Sequence, residues 1–396
     1  MTDADSPDSP DTPETRATPT QRDGAEALQR VRTMFLGIAT RRALIEYLLS
    51  VAAVMFLLTM IAYTIDLARI FPDIRWQSTY QETALPSVLL PYLLQRGVDI
   101  VTRMLPVAMF FGPFLAEIGR RLRLETVILA TAGAGPGHRL AALLWLALIL
   151  GGIYTGLEAR WRPAAIQAQV ETGLGDYAER YDDRWLEGRW VVNGDVAMRA
   201  DLRRGAQPEM RNLLVFNGIG AAELASVVGA ERAVPTDTPD VWRLEDVTEW
   251  TPETGSTLRT ARTSEAPLLL TSAQLTHYGI APYVLSTADL RTLARAPTET
   301  HYLPGIRTAL WQRRLAIFLP GTVAFLAVAF ATLGFDGRRI LYPRLIGLAA
   351  AGYILTVSLK VFWALGQQGT VAPSTAVATA LAVPLVIGTV AFVRQL

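Results

Sequence analysis

The chain has 396 residues, 51% of them hydrophobic, with a formal net charge of +1 at pH 7 and no cysteine. The missing cysteine excludes disulfides, thiolate nucleophiles and cysteine metal sites, and the balanced charge excludes a global basic field for nucleic acid. The only lysine, Lys360, follows no glycine-rich loop, so the chain carries no standard Walker A site for phosphates.

Residues 1 to 28 are rich in Asp, Ser, Thr, Pro and Glu and have almost nothing apolar. Such a segment cannot bury enough surface to offset its ordering entropy, which predicts a disordered tail. It lacks the charged and apolar regions of a signal peptide. A membrane helix needs about 20 mostly apolar residues. Span one, Tyr47 to Ile65, is uncharged and follows Arg41-Arg42. Span two has a short uncharged core, Met104 to Ala116, with Pro106 and Pro113 inside, so length alone also allows a re-entrant segment. A full crossing from about Val98 to Ile118 is expected, because Asp99 and Arg103 stand four apart and can neutralise one another on a helix. Span three is Leu140 to Leu157, span four Leu315 to Phe335, span five Leu345 to Leu365 and span six Thr370 to Val393. If span two crosses, Arg41 and Arg42, then Arg120, Arg121, Arg123 and Arg139, then Arg338, Arg339 and Arg344 all fall on one side. The positive-inside rule makes that side cytoplasmic, together with both termini.

Between spans three and four the composition changes. Residues 160 to 310 are charged, with short alternating runs such as Arg189-Trp190-Val191-Val192 and Val241-Trp242-Arg243-Leu244, and turn signals such as Asn193-Gly194. This pattern predicts an antiparallel sandwich or jelly-roll, placed by the topology on the outer side. Trp190, Phe216 and Trp242 are expected in its core. His138, His277 and His301 are too scattered for a metal site. No Gly-x-Ser-x-Gly elbow, His-Glu-x-x-His pair or defensible acid/base carboxylate pair occurs, so no catalytic residue, cofactor or metal is assigned. Gly133-Ala134-Gly135-Pro136-Gly137 follows no strand and reads as a helix-ending turn.

The basic loop after span two carries Leu124-Glu125-Thr126-Val127-Ile128-Leu129-Ala130-Thr131-Ala132-Gly133. An acidic residue, an amphipathic turn or two and a small-small-Gly ending suit a coupling helix that plugs into a separate ATPase. Other local patterns stand in order around it: Ile65-Asp66-Leu67 ending span one, Arg160-Trp161-Arg162-Pro163-Ala164 leaving span three, Val241-Trp242-Arg243-Leu244-Glu245-Asp246-Val247 in the insert, Trp311-Gln312-Arg313-Arg314-Leu315-Ala316 with Pro320, and Leu365-Gly366-Gln367-Gln368-Gly369 with Ala372-Pro373 and Pro384. With three spans, a β insert and three more spans, the chain from about residue 40 to 396 resembles the lipopolysaccharide export permeases of the LptF/LptG (YjgP/YjgQ) family. In the loop, Glu125, Leu129, Ala132 and Gly133 match the family's coupling motif; Thr126 and Ala130 depart from its Leu and Arg. The segment after span one is nearer LptG than LptF.

The resemblance implies a membrane α-helical protein of six transmembrane helices with an inserted periplasmic antiparallel β-jelly-roll domain. Its parts are a tail (1–28), spans one to three with a coupling helix at about 120–134 (29–159), the jelly-roll (160–310) and spans four to six (311–396). It further implies a non-catalytic subunit of an ABC-type lipopolysaccharide exporter in a Gram-negative inner membrane. Implied partners are a second permease of the family, an LptB-type ATPase dimer, an LptC-type periplasmic protein and lipopolysaccharide, with no nucleic acid. Its lateral gate would lie between span one of one permease and span five of the other. Lys360 stands 16 residues past Arg344, about 24 Å along a helix, at the depth of lipid phosphates. Lys360, Arg69, Arg103, Arg313 and Arg314 are the candidate lipid contacts, and Glu125, Leu129, Ala132 and Gly133 the candidate ATPase contacts. A permease for another lipid or lipoprotein, and a membrane-anchored envelope scaffold, are the alternatives.

Overall fold

The computed structural model describes residues 34–131, 137–181, 184–205, 207–238, 240–255, 257–296, 303–336 and 339–394. Among these, six helices are long and apolar enough to cross a membrane. Span one is α1 (Ile38–Tyr80) and span two α2 (Leu85–Leu122); the short α3 (Glu125–Thr131) follows. Span three is α4 (Gly137–Gly156), which runs through one π-type turn (Leu157–Trp161) into α5 (Arg162–Thr172). The small α6 is Asp176–Arg180. After the β insert come α7 (Ser272–Thr276) and α8 (Thr287–Ala294). Span four is α9 (Leu303–Leu315) continued by α10 (Leu319–Leu333); span five is α11 (Tyr342–Gln367) and span six α12 (Pro373–Val393).

Span two is one continuous 38-residue helix despite Pro91, Pro106 and Pro113 inside it. Prolines of this kind are tolerated in a membrane helix where neighbours re-satisfy the freed backbone groups, and span two has such neighbours. In span two 56% of the most apolar window is buried and in span four 67%, so these two form the centre of the bundle. Phe110, Met109, Ala324 and Ala327 are fully buried there. Small residues permit the closest crossings. A Cβ on Gly112 would lie 2.7 Å from the Val51 Cα of span one, and a Cβ on Gly352 of span five would overlap the Phe110 ring.

The insert is antiparallel, as its alternating runs require. Strands β1 (Leu186–Asn193), β2 (Val196–Arg203), β3 (Glu209–Asn217), β4 (Ser226–Pro235), β5 (Val241–Trp250) and β6 (Arg259–Pro267) pair in chain order in one six-stranded sheet. The jelly-roll expectation is thereby narrowed to a meander: among the described strands none leaves its chain neighbour to build a second packed sheet. One face buries Met198, Leu202, Met210, Leu213, Trp242 and Leu244 beneath Leu270 and Leu275, which come from the segment after β6 and from α7. Trp242 is fully buried, and its indole Nε1 donates to the Leu270 carbonyl at 2.7 Å. Trp190 departs from the core expectation. It is 55% exposed on edge strand β1 and stacks on Phe216 at 5.8 Å. Asn193 and Val196 pair across the Asn193-Gly194 turn, with Gly194 at φ 57°, so the register follows the turn signal.

Chain order alternates the helix ends. The sheet joins the bundle at one end. The other end carries α3 and the hairpin β7 (Phe335–Asp336) with β8 (Arg339–Ile340), which connects spans four and five.

Candidate functional site

Two polar assemblies sit at opposite ends of the bundle. At the sheet end, the Asp99 side chain in the middle of span two is 1% exposed. Burying a lone carboxylate in an apolar bundle costs several kcal/mol, so it must be paired and hydrogen-bonded. Arg103, one turn away, reaches Oδ1 at 3.1 Å, the i,i+4 pairing expected from spacing. Arg162 Nε reaches the same oxygen at 2.9 Å from the far end of span three, and Arg96 approaches Oδ2 at 3.4 Å. The Tyr177 hydroxyl of α6 donates to Oδ2 at 3.0 Å and itself accepts from Arg103. Burial, reinforced by the Asp99 charge, pushes the Tyr177 phenol up to about 12, which keeps its proton available for that bond. Arg96 also pairs with Asp66 of span one, whose other oxygen accepts from Tyr92 at 2.6 Å.

This assembly determines where the candidate lipid contacts stand. Arg103 is partly exposed but committed to Asp99 and Tyr177. Arg69 is exposed and pairs with Asp176 at 2.9 Å, so Arg69 and Arg103 both meet α6. Arg313 is buried; it donates to the Leu285 carbonyl and, at 3.0 Å, to the Thr287 hydroxyl, pinning span four to the start of α8. Arg314 is exposed and lies over the Trp311 ring at 5.2 Å. Lys360 is exposed on span five, seven residues before its end at Gln367. Spacing along single helices could find Asp99 with Arg103. It could not find Arg162 or Tyr177, which the fold delivers from elsewhere.

A mixed cavity of about 620 Å³ lies beside the exit of span three, lined by Arg160, Val170, Tyr181, Arg204, His277 and Asp289 among others. Burial lowers the His277 pKa, with Asp289 at 3.9 Å opposing part of the effect. Among the described residues no cluster of His, Asp and Glu could hold a metal.

At the α3 end, Glu117 of span two is fully buried and meets Arg139 of span three at 3.1 Å and Arg120 at 3.4 Å. The Tyr47 hydroxyl donates to Glu117 at 3.1 Å. Arg120 Nε also stands 3.5 Å from Glu46 of span one and 3.6 Å from Glu125 of α3. Glu125 therefore faces into this chain. Its Oε1 accepts from Arg42 of span one at 2.7 Å and lies 3.4 Å from Arg123, and its side chain is 14% exposed. Leu124 makes the sharp turn into α3 in the left-handed region, at φ 57°. Its carbonyl accepts from the Val127 and Ile128 amides, each at 3.0 Å, which starts the helix. With the carboxylate turned inward, the outward face of the segment is apolar: Leu122, Leu124, Val127 and Ile128 are 56%, 44%, 40% and 62% exposed. Leu129 is half-buried, and Ala132 and Gly133 lie outside the described residues. Glu125 is the candidate ATPase contact of the sequence motif; in the folded segment Arg42, Arg120 and Arg123 surround its carboxylate and the aliphatic residues face outward.

Between these ends, the six spans are unequally buried. Of the most apolar window, 6% is buried in span one and 17% in span five, against 67% in span four. The two helices present long uncovered faces, Leu49, Phe56, Leu57 and Ile61 on one and Ile346, Ile354, Val357 and Val361 on the other.

A family model described as "Lipopolysaccharide export system permease LptF/LptG" matches residues 42–394, nearly the whole chain. No curated protein matches the chain.

Proposed function

From the membership of this chain in the lipopolysaccharide export permease family LptF/LptG, we propose that it is the membrane-embedded, non-hydrolysing half of an ATP-driven exporter. In that reading it lies in the inner membrane with both termini cytoplasmic. It pairs with a second permease of the family, two LptB-type ATPases and an LptC-type protein. Lipopolysaccharide leaves the membrane beside spans one and five, and the β-sheet domain passes it to a periplasmic bridge.

The observation that carries this reading is the unequal burial of the spans. Here the two helices that border the lateral gate in this family are the two left most open, 6% and 17% buried. Their faces suit a partner permease and the acyl chains of a lipid held between them. Lys360 on span five stands about 10 Å from the helix end by the rise per residue. At that level an exposed ammonium attracts a lipid phosphate as a point charge. The apolar outward face of α3 suits a groove on an ATPase, since burying exposed aliphatic surface is favourable in proportion to its area.

The test is a mild-detergent pull-down from native membranes with mass spectrometry of proteins and lipids. Recovery of a second six-span permease, an ATPase and lipopolysaccharide is expected. Another lipid in their place would redirect the substrate assignment. Recovery of envelope proteins without an ATPase would replace the exporter with a scaffold.

A further inference from the structure

We propose that the cavity beside the exit of span three binds one glycerophospholipid of the leaflet on the sheet side, with its phosphate at Arg160 and an acyl chain inside the cavity. The site stands apart from the gate of the exporter reading. Its lining comes from the end of span three, α5, residues next to α6 and β2, and the segment from α7 to α8; among the described residues none comes from span one or span five.

The depth of the cavity follows from the helix that leads to it. Helix α4 has 20 residues, about 30 Å at the rise of an α-helix, the thickness of a bilayer's hydrocarbon core. Arg160 stands about one turn beyond its last residue, Gly156, and so at the level of lipid headgroups. Trp161 beside it is 51% exposed, as fits an indole anchored in the membrane interface. Both lie in the π-type turn Leu157–Trp161. A turn of this kind holds one extra residue, rotates the helix that follows by about 100°, and recurs at functional sites. The Ala159 carbonyl in the turn accepts from the Thr287 hydroxyl of α8 at 3.2 Å. That bond holds α8 beside α5, and both helices line the cavity.

The charges on the wall favour an anion. Arg160 is exposed, and among the described residues no carboxylate pairs with it. Arg204 adds a second guanidinium, placed by its 2.9 Å bond to the Arg180 carbonyl and its 5.7 Å approach to the Tyr181 ring. The acid in the lining, Asp289, is committed to capping α8: its Oδ2 accepts from the Ser286 hydroxyl at 2.6 Å and the Ser286 amide at 3.2 Å. A guanidinium meets a phosphate through paired, charge-assisted hydrogen bonds. Pro163, Val284 and Leu285 supply apolar wall nearby, where an acyl chain drawn up from the bilayer stays out of water. A volume of about 620 Å³ is within the range that takes up one small ligand. It accommodates a single chain with its headgroup, not a cargo of many chains.

The test uses the full chain in nanodiscs of equimolar phosphatidylglycerol and phosphatidylcholine. A phosphatidylglycerol with a photoactivatable acyl chain should label residues 159–170 and 280–286, the apolar side of the cavity. The chain extracted in mild detergent should retain one phosphatidylglycerol by native mass spectrometry. Arg160→Gln should lower that retention about tenfold, for loss of a charged hydrogen bond. Ala164→Trp, which fills the cavity from an exposed helical position, should lower it comparably. Added inorganic phosphate should leave retention unchanged, because the acyl chain is part of what is recognised. The labelling is read on the wild-type chain, so it decides the matter even where a variant does not fold. The proposal is overturned if the label falls mainly outside these segments, or if both variants retain lipid like wild type. It is also overturned if inorganic phosphate displaces the lipid, which would make the cavity an anion site, or if added lipopolysaccharide does, which would make it a stretch of the cargo route. None of these outcomes depends on recovery of an ATPase, so the exporter reading is judged separately.

Discussion

Arg162 at the far end of span three donates to Asp99 in the middle of span two across 2.9 Å, with the Asp99 side chain 1% exposed. This bond fixes the exit of span three, and so the base of the β domain, to span two at the sheet end of the bundle. Asp99 also neutralises Arg96 and Arg103. Asp99→Asn should therefore leave several guanidinium groups short of a counter-charge and destabilise the detergent-solubilised chain by about 3 kcal/mol, the cost of breaking a buried pair. A thermal melt unchanged from wild type would refute this account of the assembly.

Gly112 and Gly152 offer a matched comparison of helix crossings. A Cβ at 112 would meet the backbone of Val51, whereas one at 152 meets nothing within 4 Å. Gly112→Ala should separate spans one and two and lower stability by about 1–3 kcal/mol. Gly152→Ala should be neutral or stabilising by up to about 1 kcal/mol, because alanine is the better helix former. Equal melts for the two variants would show that the span one crossing is looser than described.

The outward apolar face of α3 leads to an association prediction. Ile128→Asp places a charge at the most exposed aliphatic position of that face without touching the arginines around Glu125. Recovery of the ATPase in pull-downs should fall about tenfold or more, as expected for a central interface residue. Wild-type stoichiometry would move the docking surface elsewhere.

Lys360 is tested by charge. Lys360→Glu should reduce photo-cross-linking of lipopolysaccharide to span five, and Lys360→Arg should keep most of it, because a point charge is what the phosphate would meet. If the glutamate variant labels like wild type, the lysine only anchors the helix end.

Acid should weaken the sheet domain. Burial raises the cost of ionising Glu209, but hydrogen bonds from Arg232 at 2.7 Å and Arg211 at 3.2 Å outweigh it and hold the carboxyl below its ordinary value. Asp201 is likewise held low, chiefly by the Gly188 amide and then by Asn212. A depressed folded-state pKa gives stability that is complete above the unfolded value, about 4, and lost as pH falls through the folded value. Protection of the β2 and β3 amides in the full chain, relative to their intrinsic exchange at the same pH, should therefore fall below about pH 4. Glu209→Gln should flatten that dependence, and an unaltered profile would assign the acid response to other groups.

The sequence by itself determined the six apolar spans, the charged β insert between the third and fourth, and the family. Each is written in local composition: a span must be apolar along its whole length to lie in lipid, and an alternating run must expose one face of a sheet. The pairing of Asp99 with Arg103 was legible for the same reason, since both lie on one helix one turn apart. Tertiary structure alone decided the rest. It brought Arg162 and Tyr177 to Asp99 from 63 and 78 residues away. It turned Glu125 inward onto Arg42, 83 residues distant, and left Val127 and Ile128 facing out. It kept Trp242 in the core and put Trp190 at an open edge. A buried charge takes whichever counter-charge the packed helices bring within reach, and that depends on how helices cross rather than on spacing within any one of them.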